Sequence, residues 1–466
     1  MTEILHKPLF WLTLQLVVTF AVLAWSGGLE YTRVPDTPSY LNVADAKSWT
    51  EVLSHNRTLG YPLFLRAVIS LGRWLNPVPT FQILIYFGSL LLFWFAVQRF
   101  SGSGWLAWAA VVPLPWAGVM TLATFVQPDF LAAAATVVAV SCLLVLAVGP
   151  ANIGCWIGLG VATFSAYQLR PAAVFLVAFL PVLGFVLKWL RRDRNWKQLR
   201  QWTAIAGLVT FLPFLAFSSL RWATVGHFGV VSFGGPNQAG MAASFIDAQV
   251  VRQLPQEHQG LARNMMKMRR KRGWEAMTRK SAIIDYFVQY SDNVWRVAIP
   301  AAQKEYKRIS ALPEDHPDRF DGMERPARVV QNEMLSQASR SIVRLRPGLY
   351  FKWVTSALVY GLKQLLNYVW IVAPVLLILF STPIFLLATR STDTSTPLME
   401  RRVLAALIGL LALGVGYFAA YLLLVSLVSF PFTRYFVSLT LFLPGALCAQ
   451  IFVMWQRILP SIHPLR

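Results

Sequence analysis

Residues 31–65 read YTRVPDTPSYLNVADAKSWTEVLSHNRTLGYPLFL and concentrate charged and turn-forming residues in one short segment. Asp36 stands in a turn between two prolines, and Arg57 is followed by Gly60, Tyr61 and Pro62. A carboxylate that can accept a proton therefore lies near a guanidinium that can hold a phosphate. The segment follows an apolar run long enough to cross a membrane, so this chemistry is predicted to lie just outside a bilayer.

The composition around this segment is that of a membrane protein. The chain has 466 residues, of which 56% are hydrophobic and 14% charged, whereas soluble domains carry about 25% charged residues. The mean hydropathy is +0.52. Repeated apolar runs near the length of a membrane span predict an all-α polytopic membrane protein.

The apolar runs predict about ten transmembrane helices. They lie near 10–26, 80–98, 105–123, 130–149, 152–168, 171–190, 202–221, 366–388, 403–426 and 436–455. We expect an N-terminal transmembrane module at 1–221 that includes the first outer loop at 27–79. A long outer-face helical region follows at 222–365, and C-terminal transmembrane helices occupy 366–466.

The basic short loops predict the orientation. With ten spans, the basic segments near 191–200, 390–402 and 456–466 fall on the same face as both termini. The positive-inside rule makes that face cytoplasmic. We therefore expect both termini in the cytoplasm and the long loops at 27–79 and 222–365 on the outer face.

Both long outer loops are predicted to be helical. In the first, amphipathic stretches at 39–53 and 62–75 favour two helices lying at the membrane interface. In the second, a helix, a break at Pro347 and Gly348, and a further amphipathic helix lead into the eighth span. Residues 233–238 fit either a loop that closes over a substrate or an ordinary turn.

The net charge of +21 and the three cysteines point to no other class of site. Without a recognisable nucleic-acid module, the basic excess favours cytoplasmic loops and anionic membrane lipids over nucleic acid as partners. The cysteines lack the spacing of a metal or redox site and are predicted to be small buried residues.

The candidate site residues recur at the outer ends of spans that lie far apart in sequence. Anchoring at the interface explains any single arginine, and capping of the following helix is the alternative role of each aspartate. Their recurrence on one face favours a site for an anionic, lipid-linked substrate. The candidates are Asp36, Arg57, Asp129, Arg170, Arg434 and Tyr435.

The motifs resemble those of GT-C glycosyltransferases, above all the bacterial branch related to protein mannosyltransferases and to aminoarabinose transferases of lipid A. The resemblance rests on Asp36-x-x-x-Tyr40-Leu41, Arg57-x-x-Gly60-Tyr61-Pro62 and Gln127-Pro128-Asp129-Phe130-Leu131. Leu169-Arg170-Pro171, Arg434-Tyr435 and the residues from Pro347 to Tyr350 also have counterparts in that family.

This resemblance implies an inverting transfer of a monosaccharide from a polyprenyl-phosphate carrier to an outer-face glycolipid, polysaccharide or protein. It also implies a bacterial inner-membrane protein with its active site on the outer face. Asp36 would be the catalytic base, and Asp129 would orient the acceptor or help to bind a metal. Arg57, Tyr61, Arg170, Arg434 and Tyr435 would bind substrate. Many members carry paired acidic residues in the first loop, where this chain has Thr37 after Asp36, so a divalent cation stays an open question.

Two other functions fit parts of the pattern. An O-antigen-type ligase or polymerase also uses outer-face arginines, but its glycan is linked through a diphosphate. A lipid-linked substrate transporter or flippase would need polar residues deep inside several spans, whereas these spans are mostly apolar at their centres.

Overall fold

A computed structural model describes residues 7–149, 152–191, 195–313, 316, 319–320, 322–367, 398–431 and 433–462. Across these ranges the regular structure is helical, and the pairing of extended backbone is limited to an isolated bridge between Thr32 and Phe125. The prediction of an all-α membrane protein is confirmed.

Seven helices in the described ranges are long and apolar enough to cross a membrane. They are Pro8–Trp25, Val78–Ser101, Gly104–Leu122, Asp129–Val148, Pro171–Leu190, Trp196–Val225 and Arg401–Val428. Ile153–Leu169 and Leu443–Trp455 are shorter apolar helices. The predicted run at 366–388 falls almost wholly outside the described residues, so the count of ten spans is not confirmed.

The helices of the membrane region are labelled in chain order together with the short helices of the first outer loop. They are α1 (Pro8–Trp25), α2 (Thr37–Ala44), α3 (Trp49–Ser54), α4 (Gly60–Val68), α5 (Val78–Ser101), α6 (Gly104–Val111), α7 (Asp129–Val148), α8 (Ile153–Leu169), α9 (Leu176–Leu190) and α10 (Trp196–Val225). The third predicted span is not one regular α-helix, because α6 gives way to 3-10 turns at Leu114–Trp116 and Gly118–Leu122.

In the described residues, the segment predicted to lie on the outer face, called the outer segment below, contains seven α-helices, and three more follow near the C-terminus. They are α11 (Gly234–Ala242), α12 (Ala248–Gln253), α13 (Gln256–Arg270), α14 (Ile283–Asp292), α15 (Ile299–Ser310), α16 (Ala327–Leu345), α17 (Pro347–Asn367), α18 (Leu398–Val428), α19 (Thr433–Leu439) and α20 (Leu443–Ile462). The predicted break between α16 and α17 is confirmed, since α17 begins at Pro347.

One apolar core joins the N-terminal and C-terminal membrane helices. Tyr86 and Phe130 pack with ring centroids 4.8 Å apart, and Tyr417 of α18 packs edge-on against Phe442 at 5.2 Å. Between membrane helices such contacts supply dispersion energy rather than a hydrophobic force, because lipid tails are as apolar as the side chains. Close packing therefore fixes the relative positions of the spans whose ends carry the site.

The outer segment forms a second core around Trp353, which is fully buried. The indole nitrogen of Trp353 donates a hydrogen bond to the carbonyl of Ser429 at 3.1 Å. Phe287 stacks on Phe430 with ring centroids 4.3 Å apart. These contacts seat the outer segment directly on the C-terminal end of α18.

The first outer loop differs from its prediction. Residues 39–53 do not form one interfacial helix, because α2 ends at Ala44 and α3 begins at Trp49. The side chain of Ser48 accepts a hydrogen bond from the amide of Glu51, which starts a new helix instead of continuing the first. The stretch at 62–75 is helical through α4 and a π-helical turn at Ile69–Arg73.

A buried arginine joins this loop to the outer segment. Arg221, near the end of α10, is 1% exposed. Its guanidinium donates to the carbonyl of Leu53 at 2.8 Å, to the carbonyl of Gly229 at 2.6 Å and to the hydroxyl of Ser232 at 2.8 Å. The guanidinium thereby links the end of α10 to the first outer loop and to the start of the outer segment, which fixes the position of the loop.

Candidate active site

A cavity of about 450 Å³ lies where the first outer loop, the outer segment and the ends of several membrane helices meet. Its lining includes polar groups from the loops and apolar groups from the spans. The candidate residues Asp36, Arg57, Asp129, Arg170 and Tyr435 all line it.

The first ion pair of the cavity joins Asp36 and Arg57. Asp36 occupies the N-cap position of α2, but its carboxylate turns to Arg57 and accepts a hydrogen bond from Nη2 at 2.6 Å. Nε of Arg57 donates to the hydroxyl of Ser39 at 2.8 Å, and the guanidinium lies 4.7 Å from the ring centroid of Tyr40. The side chains of Asp36 and Arg57 are 19% and 12% exposed, so the pair remains accessible from the cavity.

The second ion pair joins Asp129 and Arg170. Asp129 is the first residue of α7, where a negative charge is favoured by the helix dipole, and Arg170 directly follows α8. The guanidinium also lies over the ring of Tyr435, with 4.6 Å from Cζ to the centroid. The Asp129 side chain is only 4% exposed, so losing either charge would leave the other buried and unpaired.

Gly60 allows the two ion pairs to come together. A Cβ atom at this position would lie 2.8 Å from the backbone carbonyl of Gln168, which is closer than real Cβ atoms approach. The hydroxyl of Thr58 donates to the carbonyl of Leu169 at 3.3 Å beside this contact. The absence of a side chain at Gly60 therefore lets the first outer loop lie against the chain just before Arg170.

Of the two other predicted binding residues, Tyr61 stands apart from the cavity lining. Tyr61 is fully buried behind it, where its hydroxyl donates to Gln82 at 3.2 Å and its ring packs edge-on against Tyr40. We therefore attribute to Tyr61 the support of the loop rather than contact with a substrate. Arg434 belongs to α19, but its side chain lies outside the described part of the chain.

The cavity does not fit a divalent cation. Each of its two aspartates already has a guanidinium partner, whereas Mg²⁺ and Ca²⁺ are held by several oxygen ligands. Among the residues that the structure describes, no group of three or more His, Cys, Asp or Glu residues is arranged to hold a metal.

The outer segment contributes a wall of the cavity that the sequence indicated only at residues 233–238. Phe233, Asn237, Tyr290, Ser291 and Trp295 line this wall. The hydroxyl of Tyr290 donates to the carbonyl of Asn237 at 3.2 Å, and burial raises the pKa of Tyr290. Residues 233–238 are not a simple turn, because α11 begins at Gly234. Of the residues of this wall, only those at the start of α11 were marked in the sequence, by the turn-forming run Gly234-Gly235-Pro236.

A buried histidine lies beside the first ion pair. His55 is 7% exposed, and burial together with the positive charges of Arg328 and Arg57 lowers its pKa to about 4. His55 is therefore neutral near pH 7, so it adds no further positive charge next to Arg57.

No protein-family model and no curated protein sequence matches this chain. Two solved structures are similar to it: ArnT from Cupriavidus metallidurans bound to undecaprenyl phosphate, and the same protein in the apo state. They are 13% and 14% identical to this chain, each with a TM-score of 0.35, and each alignment covers 97% of this chain and 80% of ArnT.

Proposed function

We propose that this chain is an integral-membrane inverting glycosyltransferase. It moves a monosaccharide from a polyprenyl-phosphate carrier to an acceptor hydroxyl on a glycolipid, polysaccharide or protein. The observation that carries this proposal is the pairing of two guanidiniums with two carboxylates in one cavity at the ends of membrane helices.

The cavity has one wall suited to a lipid. Phe214 of α10 and Leu424, Val425 and Val428 of α18 line it, and these residues belong to candidate membrane spans. A polyprenyl phosphate has an apolar tail and an anionic head, so it can place the tail along this wall and the head at the arginines. Guanidinium groups suit such a head because they stay charged and can donate to two phosphate oxygens together.

The transfer is a single displacement at the anomeric carbon. The acceptor oxygen forms a bond to this carbon as the bond from the carbon to the phosphate oxygen breaks, and the electron pair of that bond stays on the phosphate. The carboxylate of Asp36 takes the proton from the acceptor hydroxyl. Arg57 and Arg170 stabilise the charge that develops on the departing phosphate. Attack opposite the leaving group inverts the anomeric configuration.

The two carboxylates have different environments, which supports different roles for them in the proposed mechanism. Asp36 is 19% exposed in the cavity and can meet an acceptor. Asp129 is 4% exposed and paired with Arg170, so its role is to hold that guanidinium in place. Asp129 is thus a positioning residue, and Asp36 is the base.

Donor binding would also change the partner of Arg57. In the structure Nη2 of Arg57 donates to Asp36, which weakens the carboxylate as a base because its charge is already compensated. A phosphate that takes up this donor removes one positive partner from Asp36 and so makes its carboxylate a better proton acceptor. The loaded donor would then prepare the base that activates the attacking acceptor hydroxyl.

The proposed site lies on the outer face of a bacterial inner membrane. The support is the charge bias of the short loops, which favours both termini in the cytoplasm. The long segment that covers the cavity then lies outside, where polymers and glycolipids of the cell envelope are accessible.

The test is transfer by the purified full-length protein reconstituted in lipid vesicles. We compare donors that carry the same sugar on polyprenyl monophosphate and on polyprenyl diphosphate. In a separate experiment, the acceptor is identified by mass spectrometry of glycolipids, polysaccharides and glycoproteins from a strain lacking the protein. We expect transfer from the monophosphate donor with inversion. Transfer only from the diphosphate donor would favour a ligase or polymerase, and movement of the donor across the vesicle without covalent transfer would favour a flippase.

A further inference from the structure

Two aromatic rings of the outer segment form a wall of the cavity that the proposed chemistry does not use. Phe233 and Trp295 both line the cavity, with ring centroids 5.5 Å apart and planes inclined by 37°. The Trp295 side chain is 44% exposed. An exposed indole beside polar groups is available to a ligand, and its apolar face gains free energy when it is covered.

The backbone under Trp295 is irregular. Residues Asn293–Ala298 form a π-helical turn between α14 and α15, and Val294 and Trp295 of this turn both line the cavity. Such turns are rare and are frequently found at functional sites, because the inserted residue changes the direction of the side chains.

A buried polar network holds this turn in place. The guanidinium of Arg269, which is 2% exposed, donates to Oδ1 of Asn293 at 2.7 Å and to the carbonyl of Glu275 at 2.8 Å. Nδ2 of Asn293 donates to the hydroxyl of Ser244 at 3.2 Å. Burial lowers the pKa of Arg269 to about 10. A buried guanidinium loses its hydration, so it is stable only while its donors keep these hydrogen bonds. The network therefore holds the turn in one position.

The turn also lies unusually close to α11, the helix that follows Phe233. A Cβ atom at Gly240 would lie 2.4 Å from Cγ2 of Val294, so this position has no room for a side chain. The close contact sets the distance between the helix carrying Phe233 at its start and the turn carrying Trp295.

The geometry points to a sugar-binding subsite formed by Phe233 and Trp295, with Asn237 and Ser291 as polar neighbours. This inference rests on the proposed function and names the part of the donor that the outer segment recognises. Aromatic faces carry negative potential and suit the C–H face of a sugar ring, while amide and hydroxyl groups suit its hydroxyls. The lipid tail is assigned to the apolar wall formed by residues of α10 and α18.

The subsite predicts a difference between two ligands that share one lipid. Binding to the purified full-length protein is measured for bare polyprenyl phosphate and for polyprenyl phosphates loaded with a hexose, a hexosamine or a pentose. We expect the wild type to bind at least one loaded carrier about tenfold more tightly than the bare one. Trp295→Ala should remove most of this difference while bare-carrier binding changes less than about twofold, and Trp295→Phe should retain much of it.

The matched control is Trp222→Ala, which removes a tryptophan that is also exposed but lies outside the cavity lining. Gly240→Ala is a second variant, expected to weaken the loaded carrier selectively by displacing the turn. Thermal unfolding of each variant shows whether it is folded.

Two results would overturn the subsite. One is that Trp295→Ala lowers the affinity for loaded and bare carriers equally, and the other is that the wild type binds no loaded carrier more tightly than the bare one. The result is separable from the proposed function. If the wild type transfers sugar but Trp295→Ala loses affinity for both carriers equally, only the subsite is rejected. If Trp295→Ala loses affinity for the loaded carrier alone but the wild type transfers no sugar, only the enzymatic assignment is rejected.

Discussion

Replacing Asp36 with asparagine separates the two roles that its carboxylate has in the proposed mechanism. Asparagine keeps the size of the side chain and an oxygen that can accept from Arg57, so the fold should be retained. The variant loses the base, and general base catalysis typically contributes about 10²–10⁴-fold. We expect the transfer rate to fall by a factor in this range.

The same substitution should strengthen the binding of the carrier phosphate. Asp36 and Arg57 are joined at 2.6 Å, and hydrogen bonds to charged groups contribute about 1.5–3 kcal/mol. The side chains are 19% and 12% exposed, so screening by water reduces the value toward about 1 kcal/mol. Asparagine is a weaker acceptor for Arg57 than the carboxylate, which predicts carrier binding that is up to about fivefold tighter.

The assay is a double-mutant cycle on the binding of bare polyprenyl phosphate, measured with the full-length protein. Asp36→Asn should tighten binding, and Arg57→Ala should weaken it. In the Arg57→Ala background, Asp36→Asn should have little further effect because the group for which it competes is gone. Asp45→Asn is the matched control, since this exposed carboxylate ends α2 outside the cavity lining.

Two results would refute this reasoning. Undiminished transfer by Asp36→Asn would remove Asp36 as the base. Equal tightening with and without Arg57 would show that Asp36 merely repels the phosphate through space, so that no exchange of partners takes place.

Two further predictions concern the support of the site. Gly60→Ala should lower both transfer and the thermal unfolding midpoint, because the new Cβ would meet backbone at 2.8 Å, whereas Gly88→Ala, with open space around its Cβ, should change neither. The low pKa of His55, about 4, means that the unfolded chain takes up a proton between about pH 6.5 and pH 4 that the folded chain does not. The thermal unfolding midpoint of the wild type should therefore fall as the pH is lowered from about 6.5 to about 4. His55→Gln should show a smaller fall over the same range, and an equal fall in both proteins would exclude His55 as the cause.

The sequence alone determined most of the membrane architecture, because a span needs a continuous apolar run that is visible locally. The helices Pro8–Trp25, Val78–Ser101 and Asp129–Val148 agree with their predicted runs within a few residues. It also identified Asp36, Arg57, Asp129 and Arg170 as candidates, since charged residues at the ends of apolar runs are conspicuous.

Local pattern was misleading in the first outer loop. The apolar spacing of residues 39–53 fits one amphipathic helix, but the cap at Ser48 starts a separate helix. Tyr61 was a candidate because it lies in a motif with Arg57, yet the packing of α4 directs it to Gln82 behind the cavity. Neighbours along a chain can point in different directions, so a motif does not specify which of its side chains faces a ligand.

Only the tertiary structure decided which groups meet. Arg170 reaches Asp129 because α7 and α8 pack side by side, and Arg57 approaches them because Gly60 permits contact with the end of α8. Trp295 joins the same cavity from a helical turn far along the chain, with no local signal to mark it. Such pairings depend on packing between distant segments, whereas the sequence records only the chemistry that each segment brings.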